Sequence, residues 1–354
     1  MPKRHRSIRS RGSRRFSSWR LFQSRFKFKK RIRRLALAVT VVVAVLLTLG
    51  AYNFLKLFLS PLDSAAGSSF QNTSSWDGKM PLSILFLEVS DLEASSSPTQ
   101  NLGVFSLNST QGLFTFLSLP TSYSNLRELY GLGEISAAVG GVGVVADKVR
   151  GILGVPVDEY VIVDSEGLGQ LGRIFPQVQS LQDLFVLENI LKIPEVWGIA
   201  RNSIRTSLDI PSILKVVWYL MHVRSDKIDQ LILAPELLAD SIELDRKLSP
   251  FFKDEHLVEE HLKIQVLNGS GESGVARWAA RVVRNIGGEV IRVDNFDRQD
   301  LVRGYLFLES SGSYTASRLA RIFNVSDSRP PREGSEARAD ITIVLGSENS
   351  FEGD

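Results

Sequence analysis

The stretch IQVLNGSGESGVARWAARVVRNIGGEVIRVDN, residues 264–295, decides the architecture of the C-terminal part of the chain. An apolar run, a glycine-rich loop, apolar residues at helical spacing and a second apolar run follow one another in it. The elements predicted here and downstream are strands at 262–267, 289–293, 304–308 and 340–345 and helices at 275–285 and near 315–323. Residues 262–346 are therefore predicted to form a small α/β domain, with 347–354 as a short tail.

The residues upstream of this domain predict a second, larger α/β unit. The apolar runs SILFLEV, LGVFSL, GLFTFLSL and EYVIVD have strand composition, whereas GVGVVADKVRGIL and PSILKVVWYLMHV have helical spacing. Strands mixed with helices are typical of a layered α/β domain, which we assign to 79–240. The charged stretch DEHLVEEHLK, residues 254–263, is typical of a solvated helix, so 241–261 are predicted to be a charged connecting helix.

The N-terminal residues predict a membrane anchor. Fifteen lysines and arginines and no acidic residue precede Leu35, whereas the remaining 27 basic and 39 acidic residues give the rest of the chain a formal charge of −12. Residues 35–55 carry no charge and would span about 31 Å as a helix, which is the thickness of a bilayer's hydrocarbon core. Basic residues on one flank stay in the cytoplasm. We therefore predict a cytoplasmic tail at 1–34 and a single transmembrane helix at 35–59.

Two alternatives concern this N-terminal region. Residues 64–66, Ser-Ala-Ala, could serve a signal peptidase, but the basic region and the apolar run are both longer than in a signal peptide. We therefore predict an uncleaved anchor. Aromatic residues among the arginines of the tail could lie among lipid headgroups or stack on nucleic-acid bases. We predict that Arg31, Arg33 and Arg34 contact lipid headgroups, and keep nucleic acid as the less favoured alternative.

The exported part contains no cysteine, so hydrophobic cores rather than disulfides must stabilise it. Residues 60–78 are rich in serine, glycine and asparagine and lack apolar periodicity, which predicts a flexible linker. The predicted location is the cell membrane, with one pass, a cytoplasmic N-terminus and most of the chain outside the cytoplasm.

Gly269-x-Gly271-x-x-Gly274 is the sharpest chemical pattern in the sequence. It follows a predicted strand, opens a predicted helix and precedes Asp294, which is the arrangement of a dinucleotide-binding loop. The unit is too short for two mononucleotide-binding halves, however, and its strand ends in the polar Asn268. We therefore interpret the loop as a tight turn between strand and helix that glycine permits, and keep nucleotide binding as the alternative.

The order of tail, anchor, linker and two α/β domains resembles the LytR-CpsA-Psr family of the cell envelope. In the first domain the similar segments are SILFLEVSD, LGVFSLN, GLFTFLSLP, EISAAVGG, GILGVPVDEYVIVDSEGL and IRTSLDIPSILKVVWYLM. In the second, the stretch at 264–295 and the segment ADITIVLGSE resemble the LytR C-terminal domain. The resemblance implies a three-layer α/β fold for the first domain.

Family members, as the resemblance implies, transfer anionic glycopolymers from a polyprenyl-linked carrier to peptidoglycan or a related acceptor. Arginines and carboxylate-held Mg²⁺ offset the charge of the pyrophosphate, and the apolar tail lies in a hydrophobic pocket. Asp91 matches the metal-holding aspartate of the family. The family's arginines, however, fall on Pro98 and Thr121 here, so Arg201 and Arg205 are the candidates for a rearranged phosphate-binding cluster.

Loss of several cationic groups argues against ordinary family catalysis, because one transition-state donor alone is worth about 10²- to 10³-fold in rate. The leading hypothesis is a catalytically degenerate member that binds or scaffolds an envelope polymer or its lipid carrier, and Mg²⁺ is the one cofactor that the resemblance implies. The alternative is a divergent phosphotransferase that uses Mg²⁺ and attaches a polyprenyl-pyrophosphate-linked glycopolymer to the cell wall. A third hypothesis is regulation through the basic cytoplasmic tail.

Overall fold

The computed structural model describes residues 75–92, 99–120, 142–174, 193–308, 312–327 and 339–349. The chain divides into two compact units, Met1–Ser60 and Pro61–Asp354, and every described residue belongs to the second. The predictions that lie outside the described residues concern the tail at 1–34 with Arg31, Arg33 and Arg34, the transmembrane helix at 35–59, most of the linker, Pro98 and Thr121. Within the described ranges, no helix has the length and apolar character needed to cross a membrane.

Six strands form the first sheet. They are β1 (Leu82–Val89), β2 (Thr99–Asn108), β3 (Leu113–Leu119), β4 (Glu159–Asp164), β5 (Ile204–Thr206) and β6 (Ile228–Ile232). Their order is β5-β4-β1-β2-β3-β6, with β1 parallel to β4 and antiparallel to β2. The four strands predicted from the apolar runs are confirmed. Because β1 lies inside the sheet and is buried on both faces, its residues form a nearly continuous apolar run.

Helices cover both faces of this sheet. They are α1 (Val142–Leu153), α2 (Ser165–Ile174), α3 (Ile193–Ser203), α4 (Ile210–His222), α5 (Pro235–Ala239) and α6 (Ser241–Phe252). Val145 of α1 and Leu248 of α6 share a hydrophobic cluster with Leu87 of β1. Ile213 of α4 belongs to a second cluster, which contains Ile84 of β1. Because neighbouring side chains on a strand point to opposite faces, the described part of the first domain has the three layers that the resemblance implied.

A second sheet follows in the C-terminal part. After α7 (Glu255–Glu260) come β7 (Lys263–Asn268), α8 (Val275–Asn285), β8 (Glu289–Asn295), β9 (Tyr305–Leu308), α9 (Tyr314–Ile322), β10 (Ser326–Asp327) and β11 (Ile341–Leu345). The strand order is β10-β9-β11-β7-β8, and only the β9–β11 pair is antiparallel. The strands and helices predicted for this domain are confirmed, and α8 begins and ends at the predicted residues.

Two segments differ from their predicted description. The stretch at 241–261 contains two helices, α6 and α7, rather than one. Neither is solvated on all sides, because Leu244 and Leu248 of α6 and Leu257 of α7 are buried beneath the charged residues. The linker predicted at 60–78 overlaps the folded domain at its end, where Trp76 is buried beside α4. The Trp76 side chain, which has polar neighbours in the sequence, thus makes the end of the predicted linker part of the core.

One hydrophobic cluster runs through both domains. Val145 of α1 and Leu248 of α6 belong to it together with Ala279 of α8 and Ile264 of β7. The apolar residues of α8 lie on one face of the helix at the spacing that buries them. A hydrogen bond also crosses this junction, in which the Trp278 indole donates to the Arg150 carbonyl at 3.1 Å. The two domains are therefore packed against each other through a continuous apolar core.

A buried ion pair crosses this junction. Arg318 of α9 donates from Nη1 to Asp158 Oδ1 at 2.7 Å and from Nη2 to Oδ2 at 3.1 Å. The two side chains are 2% and 1% exposed. The Ser83 amide donates to the same carboxylate at 2.9 Å, and Arg321 pairs with Glu159 at 3.1 Å. Two forked donors from α9 thus hold the two acidic residues at the start of β4.

The electrostatic balance at Asp158 favours its charged form. Burial raises the pKa of this carboxyl, but Arg318, with help from Arg321 and the Ser83 amide, outweighs burial and leaves the pKa lowered. A carboxyl whose pKa is lower in the folded protein adds stability above its unfolded pKa and loses that stability as pH falls through the folded pKa. The pair therefore stabilises the protein at neutral pH and ceases to do so in strong acid.

Replacing Arg318 by methionine should lower the free energy of unfolding at neutral pH by about 3–5 kcal/mol, because it leaves the Asp158 carboxylate buried without its partner. Urea unfolding followed by tryptophan fluorescence measures this change. The difference from the wild type should shrink as pH falls, since protonation of Asp158 removes the unpaired charge. The matched control is Arg277→Met, at an exposed position of α8, which should change stability by less than about 0.5 kcal/mol. Equal effects of the two changes would contradict the role given to the pair.

Candidate functional site

A cavity of about 410 Å³ lies at the carboxyl ends of β1 and β4. These strands are parallel, and ligands of open α/β sheets commonly bind beyond the carboxyl ends of the strands. The residues that line it are Asp91, Leu92, Asp164, Glu166, Gln170, Glu195, Gly198, Ile199, Asn202 and Ser203. Its position in the sheet makes it the candidate functional site, which we call the acidic cavity.

Four carboxylates face this cavity. Asp91 follows β1, Asp164 ends β4, and Glu166 and Glu195 belong to the first turns of α2 and α3. The described residues that line the cavity include no lysine, arginine or histidine. The charged side chains among the described lining residues are therefore all acidic.

Gly167 brings the helices on either side of the cavity together. A Cβ atom at this position would lie 2.1 Å from Cβ of Ser203 in α3, closer than any real contact. The amide of Gly167 also donates to the Asp164 carboxylate, which fixes the turn from β4 into α2. The absence of a side chain at this one position therefore allows the walls of the acidic cavity to approach each other.

Mg²⁺ is the ion that the family resemblance implies for Asp91. Carboxylate oxygens are ligands that Mg²⁺ prefers. Within the described ranges, however, no group of three or more acidic, histidine or cysteine side chains is placed so that it could hold a metal ion. Asp91 lines the acidic cavity with Asp164, Glu166 and Glu195, and a Mg²⁺ ion held there would need further oxygen ligands from water or a substrate.

Neutral side chains lie where the resemblance places charged groups, at the start of β2. The Asn101 amide donates to Glu88 Oε2 at 2.5 Å, and the Gln100 amide donates to the Ser90 hydroxyl at 3.1 Å. The Ser165 hydroxyl lies 2.9 Å from Glu88 Oε1 and 2.8 Å from Gln100 Oε1. These five side chains satisfy one another and contribute no cation to a phosphate.

Arg201 lies in the last turn of α3 and Arg205 in β5, which follows directly, and neither is among the described residues that line the acidic cavity. Nη1 of Arg205 is 3.2 Å from the Arg201 carbonyl oxygen and 3.4 Å from that of Asn202, both in the last turn of α3. This guanidinium therefore caps carbonyl groups that have no donor within the helix. Arg201 is exposed, and the residues that line the cavity next to it are Asn202 and Ser203. The structure brings the two arginines near the same helix end without turning them toward the cavity.

Four phenylalanine rings form an aromatic face on the side of the first sheet that carries α4. They are Phe86 of β1, Phe105 of β2, and Phe114 and Phe116 of β3. The ring centroids of Phe105 lie 5.4 Å from Phe86, 5.7 Å from Phe114 and 4.6 Å from Phe116. All four side chains are half-buried. Gly103 leaves room for this packing, because a Cβ there would come within 2.5 Å of the Phe116 ring.

The glycine-rich loop of the second domain is held by its own polar groups. The Asn268 amide donates to the Glu272 carbonyl at 2.6 Å, and its side-chain oxygen accepts from the Ser270 amide at 3.1 Å. Gly271 and Gly274 have φ of +79° and +89°, which favour glycine. The loop is thus a fixed turn between β7 and α8.

Residues 299–301 pack against this loop. The Leu301 amide donates to the Gly269 carbonyl at 2.9 Å, and a Cβ on Gly271 would lie 2.6 Å from the Gln299 carbonyl oxygen. Asp294, the acid of the dinucleotide pattern, is exposed and pairs with Arg292 at 2.8 Å, which lowers its pKa. Close approach of the chain therefore explains Gly269 and Gly271. The tight-turn interpretation is confirmed, and nucleotide binding gains no support.

The family comparison assigns the second domain. Residues 261–348 match the family model described as LytR cell envelope-related transcriptional attenuator. These residues are a LytR C-terminal domain. The prediction for this part of the chain is confirmed, and the LytR C-terminal domain supports the relationship to the LytR-CpsA-Psr family and to the cell envelope.

Several solved structures are similar to the chain. The structure of TagT bound to LIIa-WTA is 15% identical, covering 48% of this chain and 86% of that chain with a TM-score of 0.33. B. subtilis TagV is 17% identical, covering 48% of this chain and 95% of that chain with a TM-score of 0.34. Likeness at this level carries no conclusion about activity. Comparison with curated proteins found no match.

Sequence reasoning found Asp91 and missed the other three acidic residues of the cavity. Asp164 had a usable signal, because it ends the apolar run EYVIVD and the carboxyl ends of parallel strands meet at one edge of a sheet. Glu195 had none. Its helix reaches the cavity only because α3 packs against α2, and that contact depends on the folded arrangement.

In the LytR C-terminal domain, Gly271→Ala should be more destabilising than Gly274→Ala. Both positions have positive φ, which costs an L-residue about 1–2 kcal/mol. Only at Gly271 would the new methyl also meet backbone, the Gln299 carbonyl, whereas nothing lies within 4 Å at Gly274. The additional cost should be about 1–3 kcal/mol. Urea midpoints measure the difference, and equal midpoints for the two variants would show that residues 299–301 do not pack on the loop.

Proposed function

We propose that the protein is a membrane-anchored, extracytoplasmic LytR-CpsA-Psr protein that binds an envelope polymer or its lipid carrier without transferring it. The acidic cavity is the observation that carries this proposal. It lies where an α/β sheet binds ligands, yet its described lining offers four carboxylates and no basic side chain. The LytR C-terminal domain supports a role at the cell envelope.

A pyrophosphate in the acidic cavity would meet like charges. Two unit charges of the same sign 5 Å apart repel by about 3 kcal/mol at an effective dielectric constant of 20. Phosphoryl transfer needs the opposite arrangement, because cations must stabilise the charge of the transition state. The cavity therefore supports a site that has lost the transfer step, and the network of Asn101, Gln100, Ser90, Ser165 and Glu88, which contains no basic side chain, supports the same conclusion.

The aromatic face supports recognition of the lipid part of a carrier. Each methylene group removed from water contributes about 0.8 kcal/mol, so an isoprenoid chain needs no phosphate contact in order to bind. Phe86, Phe105, Phe114 and Phe116 offer ring surface that is half-buried rather than closed off. Binding through the apolar chain is thus compatible with a cavity that repels the phosphate.

A divergent phosphotransferase is the second candidate. It is favoured by the position of Asp91, which lies with three other carboxylates at the carboxyl ends of β1 and β4. Such an enzyme would attach polyprenyl-pyrophosphate-linked glycopolymer to the cell wall and would depend on added Mg²⁺.

Binding of a polyprenyl pyrophosphate analogue to the detergent-solubilised full chain separates the two candidates. We expect binding that is independent of Mg²⁺ and unchanged by Asp91→Ala. Phe116→Asp should weaken it by at least about tenfold, which corresponds to 1.4 kcal/mol, because a carboxylate on the aromatic face must lose water to contact an apolar chain. Isothermal titration calorimetry measures both affinities.

Ile242→Asp is the control for the phenylalanine change. Ile242 is 82% exposed and lies on α6, on the other side of the first sheet, so the same charge there should leave affinity unchanged. Mg²⁺-dependent binding that Asp91→Ala abolishes, or transfer of a glycan from the carrier that the same change abolishes, would overturn the binding hypothesis in favour of the phosphotransferase. An affinity unaffected by Phe116→Asp would exclude the aromatic face as the lipid site.

A further inference from the structure

The outer face of α4, formed by Leu214, Val217 and Trp218, is apolar and exposed. Leu214 is 52% exposed and Trp218 is 65% exposed. The three residues lie three and four positions apart, so they form one stripe along the helix. Trp218 stacks on His222 with ring centroids 4.1 Å apart, which holds the indole at the surface. Exposed apolar patches of this kind commonly mark an interaction site.

The inner face of α4 is fixed to the first sheet. Ile213, Val216 and Tyr219 pack in the hydrophobic cluster that contains Ile84. The Tyr219 hydroxyl also lies 2.9 Å from the Asn108 carbonyl oxygen. The helix is therefore apolar on two sides. Because one side is already packed, rotation of the helix cannot bury the outer face.

The edge strand β6 adds to the same side of the molecule. Its residues Ile228 and Ile232 pair in register with Phe114 and Ser118 of β3. Cross-strand partners point to the same face of a sheet, so Ile228 and Ile232 lie on the face that carries α4 and the aromatic rings. Ile232 is 71% exposed.

The chain enters the folded domain at the N-terminal half of α4. The Ser75 hydroxyl donates to Asp209, the residue that caps α4, and the Trp76 amide donates to the Ser212 hydroxyl at 2.8 Å. The Lys215 ammonium donates to the Trp76 carbonyl. The point at which the predicted linker joins the domain is therefore tied to this helix by three side chains.

The linker limits how far this point can lie from the predicted membrane span. Residues 60–74 are 15 residues, which reach at most about 50 Å when fully extended. A flexible chain of this length spans only about 20 Å on average. The helix α4 is itself about 20 Å long. The outer face of α4 is thus kept within reach of a bilayer whenever the predicted anchor is inserted.

The charge around the outer face differs from that of the rest of the exported chain. Residues 35–354 carry a formal charge of −12, whereas α4 contains Lys215 and no acidic residue. Arg224 and Lys227 follow the helix beside Asp226 and Asp229, and Asp209 caps its start, so the three basic and three acidic residues of 209–229 leave this segment without net charge. Tryptophan and aliphatic side chains flanked by basic groups are typical of segments that lie in the headgroup layer of a membrane.

We propose that the outer face of α4 lies on the membrane surface, with Leu214, Val217 and Trp218 at the boundary between headgroups and acyl chains. This inference rests on the membrane anchor of the proposed function. The occupant is the bilayer rather than a second copy of the chain, because the linker brings a bilayer to this face whatever the protein concentration. Contact there would hold the aromatic face beside the layer in which a lipid carrier resides.

Single-site labels can test this contact in the full chain, because the sequence contains no cysteine. Val217→Cys and Leu214→Cys would each carry an environment-sensitive NBD group, in nanodiscs of phosphatidylcholine and phosphatidylglycerol. Ile242→Cys on α6 is the exposed control. Leu47→Cys, inside the predicted span, reports on the anchor. Replacing part of the phosphatidylcholine by its acyl-chain-brominated form identifies labels that contact lipid, because bromine quenches their emission.

The expected result is blue-shifted emission and bromolipid quenching at positions 214, 217 and 47, with neither effect at 242. Adding Trp218→Ser to the Val217→Cys chain should reduce the quenching at 217. Quenching at 47 but not at 214 or 217 would overturn the contact while leaving the anchor in place. Blue-shifted emission at 217 without quenching would overturn it in favour of a protein partner. Absence of quenching at 47 would remove the anchor, and the contact with it.

Discussion

The guanidinium of Arg318 is removed from water at the junction of the two sheets, and the arrangement of the chain around it depends on keeping that charge paired. Burying an ion costs several kcal/mol unless neighbours compensate for the lost hydration. Asp158 supplies the pair, and Asp254 lies 3.8 Å away on the other side of the guanidinium. Asp254 also caps α7 and accepts from the Tyr314 hydroxyl at 2.7 Å. The requirements of one cation therefore fix the start of β4, the start of α7 and the face of α9 relative to one another.

The elements of the fold were predictable from the sequence, but the contacts between them were not. The helix α8 could be placed to the residue because its apolar positions repeat at helical spacing after a glycine turn. Arg318 and Asp158, in contrast, are 160 residues apart, and neither stands out among other charged residues. The cap on α3 shows the same limit, since the contact of Arg205 with the carbonyl groups at the helix end could not be inferred from its position in the sequence. Apolar periodicity depends only on neighbours along the chain. The roles of Arg318, Asp158 and Arg205 are set by residues that lie close to them in the folded protein.

The central strand explains how a site can change while its fold persists. Along β1, Leu85, Leu87 and Val89 face the hydrophobic cluster that joins the domains, whereas Glu88 faces the polar network with Asn101. Because successive residues point to opposite faces, substitutions on one face leave packing on the other nearly untouched. A protein of this architecture can therefore lose the cations of a transfer site without losing its core. Alternate residues of one strand can thus serve the core and the site separately. For this reason the family relationship alone does not define the activity.

Trp76 determines how the junction between linker and domain would respond to a pulling force. Its ring is 1% exposed, its Nε1 donates to the Met80 carbonyl at 2.8 Å, and it precedes β1 by only a few residues. A tension applied along the linker would reach this buried ring before it reached the hydrogen bonds of the central strand. Extracting a large aromatic side chain from a core costs several kcal/mol, so the ring would resist the load first. If the proposed membrane anchor holds the other end of the linker, such a load would strain the attachment point while the sheet remained intact.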